Sequence, residues 1–166
     1  MPTNNAKTKL KIRLKQTHTY YYSHIRYCHT SRPSFIEIVC PNCQKRAFAE
    51  DKLANDRKIV VDLSPSWKTS PFTLRCPSCF YRKENISYFE LPEYYHQISG
   101  RSGVLWAWNL EHLEFIYRFL KGQPDNNRDY IFYETYIHGV WKKHNKSYVK
   151  AIEHWLICNQ LSFKKN

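Results

Sequence analysis

Glycine is scarce in this chain, with four residues in 166. That leaves no material for a Gly-rich loop that cradles phosphates, and no Gly-x-Ser-x-Gly elbow occurs. Long apolar runs are missing too: nowhere do about 18 apolar residues follow one another, so no segment reads as a membrane span. The opening residues, MPTNNAKTKLKIRLK, lack the apolar stretch of a secretory signal. A cytoplasmic protein with no membrane partner is expected. Sixteen per cent aromatic residues against four Gly and eight Pro excludes a flexible low-complexity chain. A chain of this length can bury a real core.

Acid is the other absence. Residues 1–34 contain no Asp or Glu, yet carry Lys7, Lys9, Lys11, Arg13, Lys15, Arg26 and Arg32. They supply +7 of the formal +12, whereas residues 35–92 add +2 and residues 93–166 add +3. Charge so concentrated marks the N-terminal segment as the contact for a polyanion, DNA or RNA; an acidic protein or membrane surface, or plain solubility, are the competing readings. Lys9 to Lys15 alternates cations with Leu10, Ile12 and Leu14, the period of a strand with one basic face. Behind it, Tyr20 and Tyr22 can stack bases while the cations meet phosphates, or can pack on a sheet as ordinary strand residues.

Six cysteines are present, four of them in two matched turns, Cys40-Pro41-Asn42-Cys43 and Cys76-Pro77-Ser78-Cys79. Two Cys-x-x-Cys turns can offer four thiolates to one tetrahedral zinc ion, and each proline fixes φ where no backbone proton is required. Cys40, Cys43, Cys76 and Cys79 are therefore expected to hold one structural Zn2+. A shell closed by four cysteines leaves no open position for water or substrate, so zinc here implies structure and not hydrolysis. Cys158 is expected to be a small buried hydrophobe on the last helix. Cys28, near His24 and His29, lacks a fourth ligand for a second site.

Ser34–Val39 and Pro71–Arg75 read as strands that deliver the chain into the two cysteine pairs, Arg57–Leu63 as another strand, Ser64-Pro65-Ser66 as a turn, and Ile86–Leu91 as a continuation of the sheet. Beyond Pro92 the period changes. Asn109 caps a helix to about Lys121, with Leu110, Leu113, Ile116, Tyr117 and Leu120 on one arc and Gly122 at the stop. A last helix, about Ser147–Ile157 and capped by Asn145 or Ser147, puts Tyr148, Val149, Ile152, Trp155 and Leu156 on its apolar arc. Tyr130–Trp141 is assigned as helix. The fold class is α+β: a small antiparallel zinc-ribbon sheet followed by a C-terminal helical region. Its parts are 1–33 as a basic strand or arm, 34–92 as the ribbon and 93–166 as the helical region.

The strand-led Cys-Pro-x-Cys turns resemble a zinc ribbon of the TFIIB or rubredoxin-like type over about residues 34–92. Gln44 and Phe80 depart from that pattern, because a glycine often follows the second cysteine. Leu105-Trp106-Ala107-Trp108-Asn109-Leu110-Glu111-His112-Leu113, followed by Trp141 to Ile152, resembles the helical half of small bacterial or phage zinc-ribbon proteins of uncharacterised function. The resemblance implies a ribbon-plus-helices layout and supplies no activity.

No histidine lies between Cys43 and Cys76, which breaks the architecture of a His-Asn-His nuclease bracketed by cysteine pairs. His112, between Glu111 and Glu114 and near His96 or His138, is the remaining catalytic candidate. The preferred expectation is a non-catalytic, nucleic-acid-binding accessory protein. A protein–protein adaptor, anchored by Trp106 and Trp108 on a larger partner, is the alternative. A metal-dependent nuclease is the weaker one.

Overall fold

The computed structural model describes residues 31–61, 71–123, 129–130 and 137–163. The chain divides into residues 1–30 and a compact unit, Ser31–Asn166, and the boundary expected near residue 92 falls inside that unit. The strand expected at Lys9–Lys15, Tyr20, Tyr22, Cys28 and the turn at Ser64–Ser66 lie outside the described residues. The architecture is α+β, with antiparallel sheets followed by a C-terminal helical region.

Four strands, β2 (Phe35–Val39), β3 (Arg46–Asp51), β5 (Phe72–Arg75) and β6 (Arg82–Ile86), form an antiparallel sheet in that order. A short pair, β1 (Ser31–Pro33) with β4 (Ile59–Val61), stands apart from it. Arg57–Leu63 is therefore a strand over Ile59–Val61, but it pairs with β1 and not with the ribbon. β3 carries Ala47, Ala49 and Asp51 inward and Arg46, Phe48 and Glu50 half-buried, a clean period of two. Its inward alanines leave room for Ile36, Ile38, Phe72 and Leu74, all buried.

The strand expected at Ile86–Leu91 ends where it was expected to begin. β6 runs from Arg82 and is mostly exposed, as a charged edge strand can be. One extra residue on β6 between Lys83 and Ile86, with Asn85 at φ 57°, makes a bulge against β5. Ser87 then stops the strand, because both its backbone N–H (3.0 Å) and its hydroxyl (2.8 Å) donate to the Glu90 carboxylate and start a single 3-10 turn, Tyr88–Glu90.

The first part of the segment expected to be helical is a hairpin, β7 (His96–Gly100) with β8 (Gly103–Ala107). It joins the free edge of β2: the Val39 N–H donates to the Glu93 carbonyl (2.8 Å) and the Tyr95 N–H to the Glu37 carbonyl (2.9 Å). Gly100 is required at its tip, because a Cβ there would collide with the Tyr148 ring.

Three helices follow among the described residues: α1 (Leu110–Leu120), α2 (Gly139–Lys143) and α3 (Asn145–Cys158). Asn109 caps α1 as expected, its carbonyl oxygen accepting from the His112 N–H at 2.9 Å. Its amide nitrogen also donates to the Phe35 carbonyl at 2.8 Å, so the cap bolts the helix to β2. Gly122, at φ 67°, ends the helix, with the Gln123 N–H returning to the Arg118 carbonyl at 3.0 Å. The buried face is His112, Leu113, Phe115, Ile116 and Leu120; Leu110 and Tyr117, expected on that face, are half-buried. Glu114 and Arg118, one turn apart on the polar side of α1, pair at 2.7 Å.

α2 is a single short helix from Gly139, and residues 131–136 of the expected Tyr130–Trp141 helix lie outside the described residues. α3 starts earlier than expected, with His144 at the cap position. Asn145 is the first residue inside it and not its cap; its side-chain oxygen accepts from the Lys146 N–H (2.8 Å) and its amide nitrogen donates to the last carbonyl of α1, at Leu120 (3.2 Å). Cys158, expected to be buried, is exposed in the last turn of α3, with its sulfur 3.5 Å from the His154 Nε2. The arc it borders narrows there to Tyr148, Ile152 and Leu156.

Candidate metal centre

The four cysteines converge at one end of the four-stranded sheet, at the turns leaving β2 and β5. All four sulfurs lie within 4.8 Å of one another. Cys40 Sγ is 3.7 Å from Cys79 Sγ, and Cys43 Sγ is 3.5 Å from Cys76 Sγ. Both separations are far beyond a disulfide bond of about 2.05 Å. A tetrahedron with zinc–sulfur bonds of about 2.3 Å has edges of about 3.8 Å, so the spacing is that of ligands around one ion.

The two turns share a backbone design. The Cys40 N–H donates to the Lys45 carbonyl (2.8 Å) and the Cys76 N–H to the Tyr81 carbonyl (2.9 Å), each spanning five residues. The Lys45 N–H donates back to Cys43 and the Tyr81 N–H to Cys79. Gln44 at φ 61° and Phe80 at φ 58° occupy the equivalent left-handed position after the second cysteine. The missing glycines have not changed the turn; the two side chains adopt the glycine conformation, at a cost of about 1–2 kcal/mol each. Cys40 and Cys76 are buried, while Cys43 and Cys79 are half-buried.

The electrostatics favour a cation. At Cys79 the Asn42 amide, 3.4 Å away, and then the Tyr81 N–H stabilise the thiolate and lower its pKa to about 6. At Cys43 the Lys45 N–H pulls the same way, but desolvation and the other three sulfurs outweigh it and push the thiol up to about 12. Without a positive ion the cluster admits one thiolate and resists the next, as like charges in one site must. A bound divalent cation removes that resistance, and the donor set of four sulfurs suits zinc.

The structure brings together all four residues expected to hold metal. The residues expected to contact nucleic acid are otherwise placed: Lys7, Lys9, Lys11, Arg13, Lys15, Tyr20, Tyr22 and Arg26 lie outside the described residues, and Arg32 falls in β1 opposite Val60. Of the adaptor's anchors, Trp108 is buried, donating its indole N–H to the Tyr88 hydroxyl at 3.0 Å. Trp106 is half-buried and stacked on Tyr94 at 5.2 Å.

Two of the histidines considered for catalysis, His112 and His138, lie against aromatic rings. His112 is buried against Trp108 (4.4 Å) and Tyr130 (5.3 Å), and burial, followed by the charge of His96, lowers its pKa to about 3. It is neutral at pH 7. His138 lies 4.7 Å from the Trp141 ring.

Sequence reasoning missed one polar site. Buried His96, on β7, bonds through Nε2 to the Glu37 carboxylate on β2, with Arg46 3.8 Å from the other oxygen. Glu37 interrupts the apolar run Phe35–Val39, and an acid at the centre of a buried strand is the signal that could have found it. Glu37 also borders a cleft of about 240 Å³ with Ser34, Lys58, Asn109 and Tyr130. Lys58 in that cleft is already held by Glu111 (3.0 Å) and Asp129 (3.5 Å), which does not suit it to grip a phosphate. Among the described residues no helix is long and apolar enough to cross a membrane. Comparisons with protein-family models, curated proteins and solved structures give no match to the chain.

Proposed function

We propose that the chain is a non-catalytic zinc-ribbon protein of the TFIIB type that binds nucleic acid through phosphate contacts, as an accessory factor in the cytoplasm. The observation that carries this reading is the set of four sulfurs at zinc-tetrahedron spacing. Four protein ligands fill the shell, so the ion is a scaffold and not a reagent. The function then falls to what the scaffold holds up, and the chain's most distinctive chemistry is a net charge of +12, with an acid-free segment of +7 at residues 1–34. Such a segment lowers its energy by displacing counterions from a nucleic-acid backbone, with little regard to sequence.

The test is a salt titration of binding to DNA and RNA, on protein whose zinc content has been measured as one per chain. Affinity is expected to fall steeply with salt. Reversing Lys9, Lys11, Arg13 and Lys15 to Glu is expected to weaken binding on every sequence tried. Binding indifferent to those reversals sinks the reading.

A protein–protein adaptor is the second reading, favoured by the half-buried Trp106 and weakened by the burial of Trp108. A metal-dependent nuclease is weaker still, because His112 is buried and neutral; incubation with plasmid and divalent metal decides it.

A further inference from the structure

Phe80 is 88 % exposed, the most exposed large apolar side chain among the described residues. Its backbone stands at φ 58°, a conformation that bulky residues avoid. The residue thus incurs two costs, a strained backbone and a hydrated aromatic ring, and its ring takes no part in the core. The other turn shows that the position does not demand an aromatic, since Gln44 fills it at φ 61°. The backbone around Phe80 is also rigid: Cys79 precedes it as a metal ligand, and Tyr81 after it bonds to both Cys76 and Cys79.

Cations flank Phe80 along the chain and occur in the matching turn. The segments Cys40–Arg46 and Arg75–Lys83 contain Lys45, Arg46, Arg75, Arg82 and Lys83 and no carboxylate. A zinc ion with four thiolates carries about −2, so the loaded turns keep a net positive charge. Arg82 is held by Glu84, Arg75 lies 3.8 Å from Glu50 and Arg46 3.8 Å from Glu37, while Lys45 and Lys83 are exposed and have no ion pair within 4.0 Å among the described residues, the charge of Lys83 acting only at longer range on the Glu90 carboxylate. A protein docking on one aromatic ring would want an apolar rim around it, whereas beyond Cys79 and the half-buried Tyr81 the chain neighbours here are Ser78, Arg82 and Lys83.

We propose that Phe80 is a stacking platform for one unpaired base of a single-stranded nucleic acid, with Lys45 of the first turn and Lys83 beyond the second meeting the flanking phosphates. The assignment rests on the nucleic-acid reading above and gives it a place in the described structure. Single strand is specified because a paired base has both faces covered, while an exposed ring on a rigid turn stacks any base that offers a free face.

The test uses the zinc-loaded full chain, a labelled oligothymidylate and a duplex of equal length. Phe80→Gly keeps the backbone conformation and removes only the ring. It is expected to weaken oligothymidylate binding about ten-fold, to change duplex binding less than about two-fold, and to leave the salt slope unaltered. Phe80→Trp restores single-strand binding. Lys45→Ala and Lys83→Ala each lower the salt slope by about 0.7. Oligothymidylate binding that persists in Phe80→Gly, in a chain that still responds to reversal of Lys9 to Lys15, overturns this proposal and leaves the nucleic-acid reading standing. An equal loss on duplex overturns it as well, since the ring is then not reading a base face. A wild-type chain that binds neither probe removes the underlying reading, and this one with it.

Discussion

The two ends of the compact unit are stabilised by different physics. At the ribbon end, β6 is mostly exposed, two turns sit in left-handed conformations, and four sulfurs gather at the end of the sheet, beyond the buried Ile36, Ile38, Phe72 and Leu74. At the hairpin-and-helix end the work is done by burial: Trp108, Leu113, Phe115, Ile116, Trp141, Tyr148 and Ile152 are all inside. A domain can therefore be closed by a cross-link at one end and by apolar packing at the other, and the two should fail under different insults. β2 belongs to both ends, so each failure also reports how well the seam transmits it.

Metal removal is expected to have the largest effect. Structural zinc contributes on the order of 10 kcal/mol to small sites, which at about 2–4 °C per kcal/mol lowers the melting temperature by roughly 20 °C or more. Chelation should expose the amides of β3, β5 and β6 to hydrogen exchange before those of α1 and α3. Simultaneous loss at both ends would show that β2 couples them completely, and an unchanged melting curve would remove the metal from the account.

The seam comes next. Removing one partner of a buried hydrogen bond leaves the other unsatisfied, at a cost of about 1–3 kcal/mol. Glu37→Leu alone should lose that much in urea unfolding, because it strands His96 between the sheets. The double variant with His96→Phe should recover most of it. A double variant no better than the single one would mean that the pair has no specific role.

These two effects also separate what the sequence made legible from what it hid. The ligands were legible because a Cys-Pro-x-Cys turn is a local pattern whose chemistry follows from spacing, and Asn109 and Gly122 were legible because caps are local too. β3 escaped because its inward residues are two alanines and an acid, which carry little apolar signal. The hairpin escaped because β7 is polar and only its partner and the edge of β2 make it a strand. Glu37 and His96, 59 residues apart, meet only through the tertiary fold. Cys158 was misplaced because α3 loses its cover in the last turn, a fact about neighbours and not about period.

Acid should strike the helical end selectively. The His112 pKa falls from 6.5 to about 3 in the folded protein, so the unfolded chain binds a proton that the folded one refuses. Stability is then fully present above pH 6.5 and is lost as the pH falls toward 3, by about 2 kcal/mol at about pH 5. His112→Phe should flatten that part of the pH–stability curve. If the slope survives the substitution, another group is responsible.

The smallest expected effect is a gain. Gln44 holds a left-handed conformation that costs an L-residue about 1–2 kcal/mol, whereas glycine adopts it without strain. Glycine also gives the unfolded chain more freedom, which takes back about 0.5–1 kcal/mol. The strain term is the larger, so Gln44→Gly should stabilise the metal-loaded protein by about 0.5–1 kcal/mol, read as a higher urea midpoint at unchanged slope. The same substitution in chelated protein should give no gain, because the conformation is imposed by the metal turn. A gain that persists without metal would mean that the ribbon end holds its turns by packing after all, and the contrast between the two ends would narrow to one of degree.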